Sequence, residues 1–348
     1  MGASGERNRA VDLVKTAAIC FVLISHMAAP AFVTGRIGSR YWLEALVWAC
    51  FSHASVSLFL MASGALLLSP RRELTLRKLY GRNFLRLLTA LLFWASCCQV
   101  LQLALDGALT LPALVHGAKK VLLFYHEGPL YYLHVMLLVY TFLPCTRLIV
   151  KHGTRRDLEY ILALWFVLGI LFPTVKTFWP FTLLRGIPLK WQMNMAYASI
   201  GYTLLGYYLT AYHPRPRRSL CLLALAAGVG ITYGGTWAMS AAEGKPYEHF
   251  LEGMGAGIFL IAVGVYGLCA SAPLNNRAGK AVEFLSKASF CVFLTHTVLL
   301  KLFPLWGLTV LEGSPMLRVP LFSLLLLTAG CLAYAGLSRI PVVNRYLI

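Results

Sequence analysis

Ten apolar runs constrain the fold of this chain more than any other feature. Each is roughly 20 residues long, the length that an α-helix needs to cross a lipid bilayer. The runs lack the two-residue alternation of membrane-spanning barrel strands. They make the chain 59% hydrophobic with only 13% charged residues, and a soluble domain of that composition has too little polar surface. We therefore predict an all-α polytopic membrane protein that forms one domain over residues 1–348. The predicted spans are 12–33, 43–68, 84–105, 130–150, 158–173, 195–212, 219–240, 251–271, 288–306 and 318–337.

The distribution of charge predicts the orientation of the chain. The formal net charge is +18, which by itself would also suit a nucleic-acid-binding protein. With the N-terminus inside, however, 21 of the 31 lysines and arginines fall on the cytoplasmic side of the ten spans. This positive-inside asymmetry predicts that both termini are cytoplasmic. It also predicts membrane lipid, and no nucleic acid, as the partner of the basic loops.

The nine cysteines predict neither a metal site nor a disulfide framework. All of them fall inside or at the ends of apolar runs, and none has the spacing of a zinc-binding Cys/His cluster. Small thiols of this kind are ordinarily buried packing residues.

The first span carries the most informative polar residues, which are Asp12, Lys15 and His26. Lys15 and His26 are eleven residues apart, so on a helix both side chains point the same way, roughly 16 Å apart along the axis. Ionisable groups inside a membrane span usually mark a substrate path or a reacting centre. The alternative is a lysine that snorkels to the interface and a histidine that bonds to a neighbouring helix.

The second and third spans supply further candidates. Ser63 and Gly64 lie in a stretch of small residues, a pattern that also lets two helices approach closely. Arg82 and Arg86 are four residues apart and share a helix face at the start of the third span. Guanidinium groups bind phosphates through paired hydrogen bonds, although positive-inside anchoring explains the same residues.

Two later spans and two longer connections complete the candidates. Tyr131 lies in the first turn of the fourth span, and His296 lies inside the ninth. The predicted non-cytoplasmic connections 106–129 and 174–194 mix aromatic and cationic side chains, which indicates an interfacial aromatic belt or a vestibule for a sugar. The residues concerned are Lys119, Lys120, His126 and Glu127 in the first, and Phe178, Trp179, Phe181, Arg185, Lys190, Trp191 and Asn194 in the second.

Five segments in order resemble the membrane-bound acyltransferase-3 family, the bacterial integral-membrane O-acyltransferases. They are VDLVKTAAICFVLISH at the first span, SLFLMASGALL at the second, GRNFLRLLTALLFW at the third, PLYYL at the fourth and CVFLTH at the ninth. Members of the family typically open with an arginine followed by ten residues and a histidine, and Lys15 stands at the arginine position here. The usual His-Leu-Trp of the fourth span is Pro129-Leu130-Tyr131. Within that family the pattern resembles the short ten-span sugar O-acetyltransferases, such as the enzyme that acetylates enterobacterial common antigen.

This resemblance implies an enzyme of the bacterial inner membrane that modifies a cell-envelope polysaccharide. Such an enzyme moves an acetyl or other short acyl group from cytoplasmic acetyl-CoA to a hydroxyl of a glycan or lipid-linked sugar. The implied catalytic residues are His26 as general base, Ser63 and His296. The implied substrate- or donor-binding residues are Asp12, Lys15, Gly64, Arg82, Arg86 and Tyr131, of which Tyr131, like His296, is a candidate for the acceptor side.

Other functions remain compatible with the pattern. Ten spans with buried histidines also suit a proton-coupled transporter of a small molecule, but the inverted repeats and Gly/Pro-broken helix pairs expected for that class are not evident. Homo-oligomerisation is left open. The sequence favours acyl transfer without naming the acceptor.

Overall fold

The computed structural model describes residues 8–70, 73–125, 128–184 and 186–348. Within these ranges the chain is helical and forms no β-strand, as the apolar runs predict. The α-helices are α1 (Arg9–Thr34), α2 (Arg40–Ser52), α3 (Ser55–Leu67), α4 (Leu76–Lys78), α5 (Leu85–Leu105), α6 (Leu111–Leu122), α7 (Tyr131–His152), α8 (Arg155–Trp165), α9 (Phe172–Val175), α10 (Met195–Tyr212), α11 (Arg218–Glu243), α12 (Ala256–Ala270), α13 (Asn276–Leu302), α14 (Pro315–Leu337) and α15 (Pro341–Tyr346). Leu79–Phe84 joins α4 to α5, and Phe166–Leu171 joins α8 to α9, each as a π-helical segment.

Nine helical stretches in the described part of the chain are long and apolar enough to cross a membrane. They correspond to nine of the ten predicted spans and confirm the all-α polytopic membrane fold. The sixth predicted span, 195–212, coincides with α10, a helix of 18 residues that is not among those nine stretches. Five of its residues are tyrosines, which lower its hydropathy.

The direction of α13 supports a tenth crossing by α10. Lys15 near the start of α1 contacts Ser286 of α13, and His26 farther along α1 contacts His296 farther along α13. The two helices therefore run parallel. If each of the nine stretches crosses the membrane, parallel first and ninth spans require an odd number of crossings from one through the other, and α10 must then cross as well.

The second predicted span is divided into two helices by a turn at His53 and Ala54. After the turn, α3 crosses α10 closely enough that the two backbones touch. An added Cβ at Gly64 would lie 1.8 Å from the carbonyl oxygen of Thr203, and one at Gly206 would lie 2.0 Å from that of Met61. The small residues of α3 thus allow a helix crossing that no larger side chain permits.

The two long connections contain helices of their own. In 106–129, α6 begins at a Thr110 cap, and Gly117 lets it lie against Gln99 of α5. In 174–194, short 3₁₀ segments leave Trp179 and Trp191 exposed. His126, Glu127 and Arg185 lie outside the described residues. The vestibule hypothesis stays a prediction.

Candidate functional site

At one end of the α1–α13 interface the polar side chains form hydrogen bonds with one another and with the backbone. Asn8 caps α1 and Asn275 caps α13, so both helices start with their amide groups bonded. The Ser286 hydroxyl donates to Oδ1 of buried Asp12 at 2.6 Å, and Lys15 Nζ donates to the Ser286 carbonyl oxygen at 2.8 Å. The carboxylate of Asp12 and the ammonium group of Lys15, both on the first span, therefore bind the same serine of the ninth.

The other end of the same interface is a pair of histidines. The rings of His26 and His296 lie 5.1 Å apart between centroids, at an interplanar angle of 31°. His296 is fully buried, and its Nδ1 contacts the carbonyl oxygen of Phe293. Because a carbonyl only accepts hydrogen bonds, Nδ1 carries the proton and Nε2 of the neutral ring is left with a lone pair. Among the described residues this Nε2 has no hydrogen-bond partner.

A cavity of about 320 Å³ opens beside the lysine end, within the size range of small-molecule sites. It brings together three of the predicted residues, Lys15, Ser63 and Arg86. In the described part of the chain no acidic side chain lines it. The complete lining is Lys15, Phe59, Ser63, Leu66, Leu67, Asn83, Arg86, Leu87, Tyr132, Met136, Tyr140, Ser289, Phe290 and Phe293.

Aromatic rings separate this cavity from the histidine pair. Phe59 and Phe293 both contact the ring of Tyr132, with centroid distances of 5.5 and 5.4 Å. Phe293 in turn lies 5.4 Å from the ring of His296. The three rings form the inner wall of the cavity, and the two histidines lie directly behind it. We call Phe59, Tyr132 and Phe293 the aromatic wall.

The remaining predicted residues occupy different surroundings. Ser63 and Tyr132 line the same cavity, so Ser63 lies beside the aromatic wall. Arg82 is exposed in the π-helical segment before α5 and lies outside this cavity. Tyr131 is 42% exposed and does not line it, and Gly64 contacts α10 instead. Substrate or donor binding by Arg82, Tyr131 and Gly64 stays a prediction.

Several lining residues escaped the sequence interpretation although a signal for them existed. Tyr132, Met136 and Tyr140 recur every four residues along α7, which is the spacing of one helix face. On α13 the face that meets α1 reads 286, 289, 293 and 296, the same kind of alternation of three and four. The sequence predicts Tyr131 and His296 as isolated polar residues. Each belongs to a helix, and the rotation of that helix in the bundle determines which of its side chains face the site.

A third histidine lies near His26 and does not line the cavity. His53, at the turn between α2 and α3, is within electrostatic range of His26 and also of Glu248. The Nδ1–H of His53 donates to the Ala49 carbonyl oxygen at 2.7 Å. Nearby, His249 pairs with Glu252 at 3.8 Å. Titratable side chains thus lie between the residues that precede α12 and His26.

The nine cysteines are free thiols. No group of three or more His, Cys, Asp or Glu side chains in the described ranges has the arrangement of a metal site.

Comparison with known proteins adds one finding to this geometry. The acyltransferase-3 family model, described as an acyltransferase domain, matches residues 8–336. No curated protein and no solved structure gives a significant match to the chain.

Proposed function

The chain belongs to the acyltransferase-3 family and is an integral-membrane acyltransferase, and on that premise we propose which groups it transfers. The donor is acetyl-CoA or another short acyl-CoA. The acceptor is a hydroxyl of a glycan or lipid-linked sugar. The observation that carries this proposal is a cavity with cations at one end and, behind an aromatic wall, a buried histidine pair.

The charge of the cavity suits the donor. Lys15 and Arg86 line it and no described carboxylate does, so an anionic group is favoured there. By the positive-inside asymmetry this end faces the cytoplasm, where acyl-CoA is made. The thioester reaches inward on the narrow pantetheine arm. The arm is long enough for the roughly 16 Å from Lys15 to His26, and the aromatic wall must open for the thioester to reach His26.

The histidine pair supplies the base. A sugar hydroxyl is a weak nucleophile until a positioned group removes its proton, and a neutral imidazole can do so near neutral pH. His26 takes the hydroxyl proton while the alkoxide oxygen bonds to the thioester carbon. The carbon–sulfur bond of the resulting tetrahedral intermediate then breaks. The proton passes from His26 to the departing thiolate, which leaves as coenzyme A.

Two neighbours of His26 support this step. Nε2 of His296 is a buried acceptor beside the base, and it holds the imidazolium of His26 once that ring is protonated. Ser63 and Tyr132 place hydroxyl groups at the aromatic wall, where one of them donates to the thioester oxygen as negative charge develops. A covalent acyl-Ser63 intermediate finds less support because no described histidine hydrogen-bonds to Ser63.

The acceptor arrives from the opposite end. His53 lies within electrostatic range of both His26 and Glu248, and Glu248 precedes α12 on the side that the proposed orientation makes non-cytoplasmic. Donor and acceptor thus meet at His26 from two sides of the membrane. The bacterial inner membrane is the location that fits such a reaction.

The test is release of coenzyme A from acetyl-CoA by the purified, lipid-reconstituted protein, with extracts of envelope glycans and lipid-linked sugars as acceptors. We expect release that depends on an acceptor and a product heavier by one acetyl group. Folded protein that releases no coenzyme A with any acceptor would contradict the proposed donor and acceptor. Uptake of an unmodified solute into proteoliposomes would instead support the transporter alternative.

A further inference from the structure

A second and larger cavity adjoins the first at its cationic end. Its volume is about 800 Å³, and it shares Asn83 and Arg86 with the first cavity. Its other wall is the C-terminal helix α15, through Asn344, Arg345 and Tyr346. We call this space the outer chamber. One elongated ligand can therefore occupy both cavities, with Arg86 at their junction.

Three side chains of α5 hold the chain that follows α15 against this chamber. They bond to three successive backbone carbonyl oxygens. Thr89 Oγ1 donates to Tyr346 at 3.1 Å, Trp94 Nε1 donates to Leu347 at 2.9 Å, and Arg86 Nη2 contacts the carbonyl oxygen of Ile348. Ile348 is buried. These contacts fix the backbone of the segment before a ligand enters the outer chamber, which reduces the entropy cost of ligand binding.

The charge in the outer chamber is strongly one-sided. Three guanidinium groups line it, those of Arg82, Arg86 and Arg345, and no described acidic side chain does. In the described part of the chain the guanidinium groups of Arg82 and Arg345 form no hydrogen bond or ion pair, and that of Arg345 lies 5.1 Å from the centroid of the Tyr346 ring. Nε of Arg86 is buried without a partner in the same part of the chain. Three arginines with unused donors suit a ligand that carries more than one phosphate.

We propose that α15 completes a binding chamber for the phosphates of the donor nucleotide, with Arg345 as a phosphate ligand beside Arg82 and Arg86. The proposal rests on the proposed acyl-CoA donor and adds the place of its nucleotide. The nucleotide of coenzyme A bears a diphosphate and a 3′-phosphate, which matches three arginines. The family match ends at residue 336, so Arg345 belongs to a part of this chain outside it.

The test compares Arg345→Gln with Arg339→Gln as a matched control. Arg339 is also exposed and lies six residues before Arg345, yet it lines neither cavity. Binding of adenosine 3′,5′-bisphosphate is measured by calorimetry in zwitterionic nanodiscs. Turnover is measured with acetyl-CoA and with acetyl-pantetheine, which lacks the nucleotide.

We expect Arg345→Gln to weaken bisphosphate binding and to raise the KM for acetyl-CoA, each about tenfold, as for the loss of one charge-assisted contact. Turnover of acetyl-pantetheine and every property of Arg339→Gln stay unchanged. The proposal would be wrong if Arg345→Gln changed the turnover of acetyl-CoA and acetyl-pantetheine equally, or if it left bisphosphate binding unchanged. The proposal would also be wrong if Arg345→Gln weakened only the binding to phosphatidylglycerol vesicles, because Arg345 would then bind a lipid headgroup. If wild type binds the bisphosphate through Arg345 but transfers no acetyl group, the chamber stands and the proposed reaction falls.

Discussion

The two ends of the α1–α13 interface use polar residues in opposite ways. At one end Asp12 and Lys15 both contact Ser286, and Thr16 adds a hydrogen bond to the Asp12 carbonyl oxygen at 2.9 Å. At the other end His296 leaves Nε2 buried without a described partner beside His26. One end satisfies its buried polar groups, and the other keeps one unsatisfied.

This difference separates an anchor from a reacting centre. A buried polar atom without a hydrogen bond costs about 1–3 kcal/mol, so folding alone gives no reason to keep one. The satisfied end fixes the register of two parallel helices, and that register places the histidines against each other. Substitutions at the satisfied end should therefore act mainly on stability, and those at the histidine end mainly on rate.

The largest effect is expected for His26→Ala. Loss of a general base typically lowers a rate by about 10²–10⁴-fold, and we expect a fall in that range in acceptor-dependent release of coenzyme A. The control is His152→Ala, which removes an exposed histidine at the end of α7 and should leave turnover unchanged. Full turnover by His26→Ala would show that the histidine end of the α1–α13 interface is not a reacting centre.

His296→Leu should separate rate from stability. The change removes the buried Nε2, so we expect the thermal unfolding temperature to stay the same or rise, whereas turnover falls by about 10–100-fold. Both quantities are measured on the same reconstituted sample. A fall in unfolding temperature with normal turnover would make His296 a structural residue like those at the other end.

Ser286→Ala should show the reverse pattern. Asp12 loses one hydrogen-bond donor in a buried setting, which we expect to cost about 1–3 kcal/mol of stability, while the backbone acceptor of Lys15 remains. Ser96→Ala, on an exposed face of α5, is the control and should change stability by less than about 0.5 kcal/mol. Unfolding curves followed by tryptophan fluorescence decide the matter. An unchanged midpoint for Ser286→Ala would mean that this end is no anchor.

The smallest effect is expected for Lys15→Arg. Arginine keeps the charge at the cavity, so turnover should stay within about threefold of wild type, whereas Lys15→Met should raise the KM for acetyl-CoA about tenfold. Steady-state kinetics of the two variants provide the measurement. If Lys15→Arg abolished activity as completely as Lys15→Met, the shape of the ammonium group rather than its charge would be required.

How far the sequence predicts the site depends on whether a residue acts within its own helix. The alignment of Lys15 with His26 follows from their spacing, because helix geometry is local. The contact of His26 with His296 does not, since 270 residues separate them and only packing joins their helices. The sequence points to Tyr131, whereas Tyr132 lines the cavity, because rotation of α7 in the bundle decides which of the two rings faces it. The sequence also predicts Gly64 as a substrate- or donor-binding residue, and the structure places it at a helix crossing.

The sequence by itself determined the membrane fold, the acyltransferase-3 family and the positions of the apolar helices, α10 among them, because hydropathy and short motifs are written in contiguous residues. Only the tertiary structure decided that α1 and α13 lie parallel and that Lys15, Ser63 and Arg86 share a cavity. These features depend on side chains far apart in the chain meeting at one register. Close packing allows few such registers, and no local pattern specifies which of them forms.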